Sequence, residues 1–164
     1  MGELRVGTGF DAHAFAAGRP LVLGGVEIQH PLGLEGHSDA DVLVHAIIDA
    51  LLGAAGLGDI GGLFPDTDGR YRGISSILLL AEVWRLLEER GIKIVNIDVS
   101  VICETPKIAP HADGMKAVIS RALGGLETGR IGIKGTTTEK LGFTGRGEGI
   151  AACAVCLLDR GPDA

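Results

Sequence analysis

A chain of 164 residues, 46% hydrophobic and with a net charge of −6, is long enough to bury a core and is expected to form one domain over residues 1–164. That acidic balance is wrong for a protein that follows a phosphate backbone, so nucleic acid is excluded as an expected partner. No stretch approaches the roughly 20 apolar residues of a membrane span, and the opening Met1–Val6 has neither the apolar run nor the cleavage site of a signal peptide; no membrane partner is expected, and the expected compartment is the cytoplasm.

In chain order, Leu4–Asp11 alternates as a strand, and Leu21–Leu23 with Val26–Ile28 predicts a second strand or a hairpin broken at Gly24-Gly25. Ser38 reads as the N-cap of a helix to about Leu52, with Asp39 and Asp41 in its first turn, where negative charge suits the helix dipole. Gly53 to about Ile74 reads as a long loop, of a kind that inside a compact domain is functional or disordered. Ser75 or Ser76 caps a second helix to about Arg90, with Leu79, Val83, Leu86 and Leu87 on one face and Gly91 as its stop. Lys93–Ile102 alternates as a strand, and a third helix spans about Ala109 to Leu123. Arg130–Gly135 and Gly149–Leu158 are strands joined by a glycine-rich loop, and Gly161–Ala164 are expected to fray.

This ββααβαββ order bunches the helices instead of alternating them with strands, which predicts an α+β fold: a mixed β-sheet with helices packed on one face. Many strand positions are apolar on both sides, so the other face needs a cover, and a homo-oligomer that stacks those faces supplies it. Cys153 and Cys156 spell C-x-x-C, but three residues apart on a strand they point to opposite faces and read as core. With Cys103 they make an odd number, which argues against a disulfide framework. Glycine, at 27 residues, is more than twice as frequent as usual and collects beside charges, as in Gly58–Gly62 and Gly142–Gly149. There it lets backbone approach a ligand closely.

Three constellations carry chemistry. Asp11 and His13, two apart on a strand, project a carboxylate and an imidazole to one side, and His45 on the first helix is a third ligand. Two histidines and a carboxylate leave a tetrahedral ion one open position, the pattern of a catalytic zinc. Asp41 or Asp49, one helical turn either side of His45, is a candidate for orienting its ring. Lys134–Lys140 brings three threonine hydroxyls, the Glu139 carboxylate and two ammonium groups together; hydroxyls and lysines suit phosphate oxygens, and a carboxylate among them suits a hard cation bridging those phosphates. Thr105-Pro106-Lys107 precedes a helix whose first N–H groups can hold an anion or a base edge.

Gly9–His13, His37-Ser38-Asp39-Ala40-Asp41, Gly58–Gly61, Phe64–Asp68, Pro106-Lys107 and above all the run Thr136–Ala151 resemble the 2-C-methyl-D-erythritol 2,4-cyclodiphosphate synthases, in order along nearly the whole chain. The resemblance implies a lyase of the non-mevalonate isoprenoid pathway that cyclises 4-diphosphocytidyl-2-C-methyl-D-erythritol 2-phosphate and releases CMP. It implies a homotrimer with its sheets facing the central axis, active sites at subunit interfaces, and a central cavity toward Arg146 and Glu148 that can hold an isoprenoid diphosphate. Carried over by motif, Asp11, His13 and His45 hold zinc, and Glu139 holds magnesium or manganese between two phosphates. His37 and Thr137 help position and stabilise the reacting diphosphate, with Ser38 beside the phosphate. Asp59 and Gly61 meet the methylerythritol hydroxyls, and Phe64, Asp66 and Asp68 belong to a nearby flexible loop. Cys103, Pro106, Lys107 and Ala109 form the cytidine pocket, flanked by Thr136 and Thr138, while Phe143 and Arg146 are further contacts. The sequence departs from the family's commonest pattern at Ala40, where glycine is usual, and at Gly135, where alanine usually precedes the threonines. Two other classes use the same residues: a metal-dependent phosphohydrolase, which would attack with water, and a non-catalytic binding module.

Overall fold

The computed structural model describes residues 2–161; of the expected frayed terminus, 162–164 lie outside the described residues. The first strand, β1, runs over Glu3–Ala16, well beyond its expected end at Asp11, because β7 (Gly149–Arg160) pairs with it in antiparallel register from Glu3↔Arg160 to Ala14↔Gly149. Leu21–Leu23 (β2) and Val26–Ile28 (β3) form the expected hairpin across Gly24-Gly25, both at positive φ. A two-residue strand, Gly33–Leu34 (β4), is too short to leave a periodic signal; it pairs with the far end of β1 at Phe15 and Ala16.

The first long helix, α1, spans Val42–Ala55 and starts three residues after the position expected for it. Its N-cap is Asp41, not Ser38: Asp41 accepts the Val44 N–H at 3.1 Å, while Ser38 Oγ instead takes the Ala40 N–H at 3.1 Å. Ala40, with φ +56°, stands in the left-handed region and cannot belong to the helix. The segment expected to be a long loop contains a short helix, α2 (Ile60–Leu63), and a 3-10 turn at Gly69–Tyr71, each capped by an aspartate, Asp59 and Asp68. Helix α3 is Ser76–Glu88, and strand β5, Ile92–Ile102, carries a bulge at Val95. The third expected helix opens with a 3-10 turn, Ala109–His111, and continues as α4, Ala112–Ala122. Strand β6 is Ile131–Thr136, and a four-residue helix, α5 (Gly142–Gly145), sits inside the glycine-rich loop.

The main sheet has the order β4-β1-β7-β5-β6 and is mixed, with only β5 and β6 parallel. Its core side receives Ile92, Ile94, Ile97, Val99 and Val101 from β5 and Ile150, Ala152, Ala154, Cys156 and Leu158 from β7, which pack with the buried faces of α1, α3 and α4. Helix α1 is apolar almost all round; among its residues only His45, Asp49 and the glycine and alanine of its last turn reach past the core. The opposite side carries Leu4, Val6 and Phe10, each more than 60% exposed, with Val155 and Cys153 beside them. Cys153 therefore departs from the core reading, whereas Cys156 is buried with its thiol against the Ala50 carbonyl. All three cysteines are free. Among the described residues no helix is long and apolar enough to cross a membrane.

Candidate functional site

Because side chains on a strand alternate, Asp11 and His13 leave β1 on the helix side, and α1 presses against that side closely enough to bring His45 to them. The close approach depends on Gly7 and Gly9, where a Cβ atom would stand 2.0 Å from the Ala50 and Ala46 carbonyl oxygens of α1. The result is a triangle: Asp11 Oδ2 lies 2.9 Å from His13 Nε2 and 3.0 Å from His45 Nδ1, and the two ring nitrogens are 3.2 Å apart. Ligand atoms about 2 Å from a tetrahedral zinc lie about 3.3 Å from one another, so the donor set fits a zinc-sized ion with little movement. Burial raises the Asp11 carboxyl, but the two imidazoles packed against it together outweigh burial and hold the group well below the usual carboxylate range. His13 is pulled down by burial and up by Asp11 and the Glu35 carbonyl, and its net shift is upward.

Each ring is also held from behind. His13 Nδ1 donates to the Glu35 carbonyl at 2.6 Å, and since a carbonyl only accepts, Nε2 keeps a lone pair facing the triangle. His45 Nε2 meets Ser76 Oγ at 2.8 Å and Ser38 Oγ at 3.2 Å. Neither aspartate expected behind His45 is there. Asp41 is fully buried and caps α1 while accepting the Gly24 and Gly25 N–H groups; Asp49 accepts the Ile60 N–H at 2.8 Å and holds α2 against α1. Both acids lie a turn from His45 along the helix, but each is claimed by backbone donors of a neighbouring turn.

The triad opens into a cavity of about 370 Å³ lined also by His37, Ser38, Asp49, Gly61, Phe64 and Asp66. Its wall at His37–Asp39 is fixed by the Arg19 guanidinium, which donates to the Gly36 and Ser38 carbonyls, and by the Gly73 N–H on the His37 carbonyl. Tyr71, Ile74 and Leu79 also line it without any signal in the sequence, since they reach the cavity only through the turn at 69–71 and the start of α3. A second cavity of about 230 Å³ is lined by Cys103, Pro106, Lys107, Ala109, Thr136 and Thr137. Burial pushes the Cys103 thiol up to about 11, which removes it as a nucleophile at neutral pH.

Six other expected site residues line neither cavity. Asp59 caps α2, Asp68 pairs with Arg70 at 2.6 Å, and Thr138 bonds the Thr144 hydroxyl at 3.0 Å. Glu139 accepts the Thr137 hydroxyl, which ties it to the second cavity; it and Lys140 sit at φ +52° and +66°, strained positions for residues other than glycine. Phe143 is 40% exposed, and Arg146 pairs with Glu148 at 2.6 Å. The structure thus gathers the predicted residues into two separate groups on one chain, the triad group and a group around Cys103–Ala109 and Thr136–Thr137, with no residue common to both linings.

Comparison with known proteins is consistent across sequence and fold. Residues 4–159 match the model of the YgbB family. The 2-C-methyl-D-erythritol 2,4-cyclodiphosphate synthase of Rubrobacter xylanophilus is 59% identical over 163 residues, 98% of each chain, and that of Clostridium acetobutylicum is 57% identical over 155 residues, 94% of this chain and 99% of the other. A solved 2C-methyl-D-erythritol-2,4-cyclodiphosphate synthase in its CDP-bound form superposes with a TM-score of 0.85 at 44% identity, covering 94% of this chain and all of that one. The bifunctional IspDF of Campylobacter jejuni superposes with a TM-score of 0.93 at 45% identity; this chain covers 43% of that protein's length.

Proposed function

The chain belongs to the YgbB family, and from that premise we infer how its two cavities carry out the reaction. It is a phosphorus–oxygen lyase that converts 4-diphosphocytidyl-2-C-methyl-D-erythritol 2-phosphate into 2-C-methyl-D-erythritol 2,4-cyclodiphosphate and CMP, in the non-mevalonate supply of isoprenoid precursors. An oxygen of the substrate's 2-phosphate forms a bond to the β-phosphorus, and the bond from that phosphorus to the bridging oxygen breaks, so CMP leaves with that oxygen and its electron pair. The nucleophile is part of the substrate, which agrees with the high thiol pKa of Cys103 and the lack of any need for a protein nucleophile.

The protein's task is position and charge. Holding nucleophile and electrophile in one geometry is worth roughly 7–11 kcal/mol of barrier in favourable intramolecular cases. Zinc at Asp11, His13 and His45, and magnesium or manganese at Glu139, would supply positive charge against a diphosphate that otherwise repels its own nucleophile. Ser38 and His37, on the wall beside the triad, hold the diphosphate on one side; Thr137 holds it from the other. Asp59 and Gly61 at the start of α2 take the methylerythritol hydroxyls, with Phe64, Asp66 and Asp68 closing over them. Cys103–Ala109 receive cytosine through backbone groups, Lys107 turns to the phosphates, and Thr136, Thr138, Phe143 and Arg146 complete the nucleotide side.

Two half-sites in separate cavities of one chain call for a second copy, and a homotrimer joining the triad cavity of one subunit to the cytidine cavity of the next meets that need. The exposed apolar face formed by Leu4, Val6, Phe10 and Val155 supports this reading, since packing it around an axis removes it from water. A cavity along that axis, reached by Arg146 and Glu148, would take an isoprenoid diphosphate. The enzyme's charged small-molecule substrate suits the cytoplasm.

The observation that carries the reading is the convergence of Asp11 Oδ2, His13 Nε2 and His45 Nδ1 within 3.2 Å of one another. Its test is Asp11→Asn, measured by zinc content and by CMP release from the authentic substrate, with phosphorus NMR on the product. The parent is expected to give a cyclic diphosphate, and the variant to lose zinc and at least 100-fold in rate, a few kcal/mol of transition-state stabilisation. An acyclic product from the parent would identify a hydrolase, and undiminished CMP release from the variant would remove the triad from the reaction.

A further inference from the structure

His45 turns Nδ1 toward Asp11 and His13, which leaves Nε2 to be held from the other side. That nitrogen is 2.8 Å from Ser76 Oγ, at the first residue of α3. Ser76 is completely buried, and its hydroxyl donates to Asp39 Oδ1 while its backbone N–H donates to Asp39 Oδ2 at 2.9 Å. An ionised carboxylate only accepts, so the Ser76 proton is committed to Asp39 and Oγ has only lone pairs to offer His45. The direction of the chain is therefore fixed: His45 Nε2–H to Ser76, Ser76 O–H to Asp39.

We propose that Asp39 and Ser76 are positioning residues that hold His45 in its Nε2–H tautomer, and so present the Nδ1 lone pair to the cation bound with Asp11 and His13. Ser38 Oγ lies 3.2 Å from the same nitrogen, but it is engaged by the Ala40 N–H and faces the substrate cavity, where a bound phosphate competes for it. Ser76 is closer and clamped at both its hydroxyl and its amide. Asp39 is itself fixed, its own N–H donating to the Ile74 carbonyl at 3.1 Å. The relay thus ties a ligand on α1 to the N-terminus of α3, and the metal geometry inherits the rigidity of the junction between them. Outer partners of metal-bound histidines commonly control affinity by 10–100-fold.

The inference rests on the zinc reading of the triad, and one experiment separates the two. The intact chain and the variants Ser76→Ala, Asp39→Asn and Ser38→Ala are compared for zinc affinity by competition with a chromophoric chelator, and for the visible spectrum of the cobalt-substituted protein, with far-UV circular dichroism as the check of folding. Ser76→Ala removes the acceptor, and zinc affinity is expected to fall 10–100-fold with a changed cobalt spectrum. Asp39→Asn keeps the size but cannot accept at both positions: Oδ1 takes the Ser76 hydroxyl and the Asp41 N–H while Oδ2 takes the Ser76 N–H, so an amide sets its NH₂ against a donor in either orientation and the hold on Ser76, and through it on the His45 proton, is lost. Its zinc affinity is expected to fall at least as far. Ser38→Ala is expected to retain the parent's affinity. Parent-like affinity and spectrum in a folded Ser76→Ala or Asp39→Asn would overturn the relay, as would a loss confined to Ser38→Ala. Should Ser76→Ala fail to fold, the isosteric Asp39→Asn decides alone. A parent that binds no zinc would instead sink the metal reading itself.

Discussion

Asp41 illustrates how a single side chain in this protein can serve the architecture while standing one turn from the chemistry. It is completely buried and accepts backbone N–H groups from Gly24 at 2.9 Å, Gly25 at 2.7 Å and Val44 at 3.1 Å, which fastens the β2–β3 turn to the start of α1. Replacing it with alanine leaves three buried donors without partners, at about 1–3 kcal/mol for a group left unsatisfied, so Asp41→Ala is expected to lose about 3 kcal/mol in urea unfolding at pH 7. Burial also pushes the Asp41 carboxyl up to about 6. A folded-state value above the unfolded one means that the group's stabilisation is complete below the ordinary carboxylate value of 3.8 and is lost as pH rises through about 6. The gap between parent and variant is therefore expected to be widest near pH 4 and to narrow by pH 7; a gap that widens over that range would contradict the assignment. The sequence pattern put the cap at Ser38, with Asp39 and Asp41 in the first turn, because the partners that fix Asp41 as the cap include the glycine turn at Gly24-Gly25, 17 and 16 residues away. Ala40 shows the converse: its φ of +56° gives a physical reason for the glycine usual there in the family.

At the scale of elements, the site is a consequence of how closely α1 can lie on β1. Gly7 and Gly9 face the helix and have no side chain to hold it off, while their neighbours Val6, Thr8 and Phe10 face away. In Gly9→Ala the added methyl would meet the Ala46 carbonyl at 2.0 Å, backbone that cannot turn aside. Overpacking of this kind costs typically about 1–3 kcal/mol and sometimes more, and here the displaced helix also carries His45. Gly9→Ala is expected to lose about 3 kcal/mol or more by denaturant titration and to bind zinc more weakly. A variant with parental stability and affinity would show that α1 has slack at this contact. This explains which parts of the site were readable in advance. Asp11 and His13 share a strand face by the two-residue period alone, and the threonine run announces itself by composition. The relay behind His45 left no such trace, because Ser76 meets His45 across 31 residues and Asp39 across 37, and a serine before a helical run reads first as a cap. The helix pattern was legible for α1, α3 and α4, yet α2, β4 and the 3-10 turns were not, since two to four residues span about one period and nothing repeats within them.

For the whole molecule, the exposed side of the sheet divides into two bands. Leu4, Val6, Phe10 and Val155 make the β1–β7 half apolar, whereas Asn96, Asp98, Ser100 and Lys134 make the β5–β6 half polar, with Asp98 and Lys134 paired at 2.5 Å. In the trimer proposed above, such a face packs its apolar band against neighbouring copies and leaves its charged band to fix their register. Phe10 tests this, because it is 62% exposed on the face opposite to the one its neighbour Asp11 uses. Phe10→Glu replaces an exposed apolar ring with a charge that a lone subunit tolerates but a buried interface does not, at several kcal/mol for an unpaired charge out of water. The variant is expected to sediment as a monomer, to keep its far-UV circular dichroism and the zinc binding proposed for its triad, and to lose CMP release because the triad cavity no longer meets the second cavity of a neighbouring copy. Retained zinc is what distinguishes a lost partner from a damaged triad. A Phe10→Glu protein that stays oligomeric and active would mean that the copies meet elsewhere and that each chain completes its site without this face.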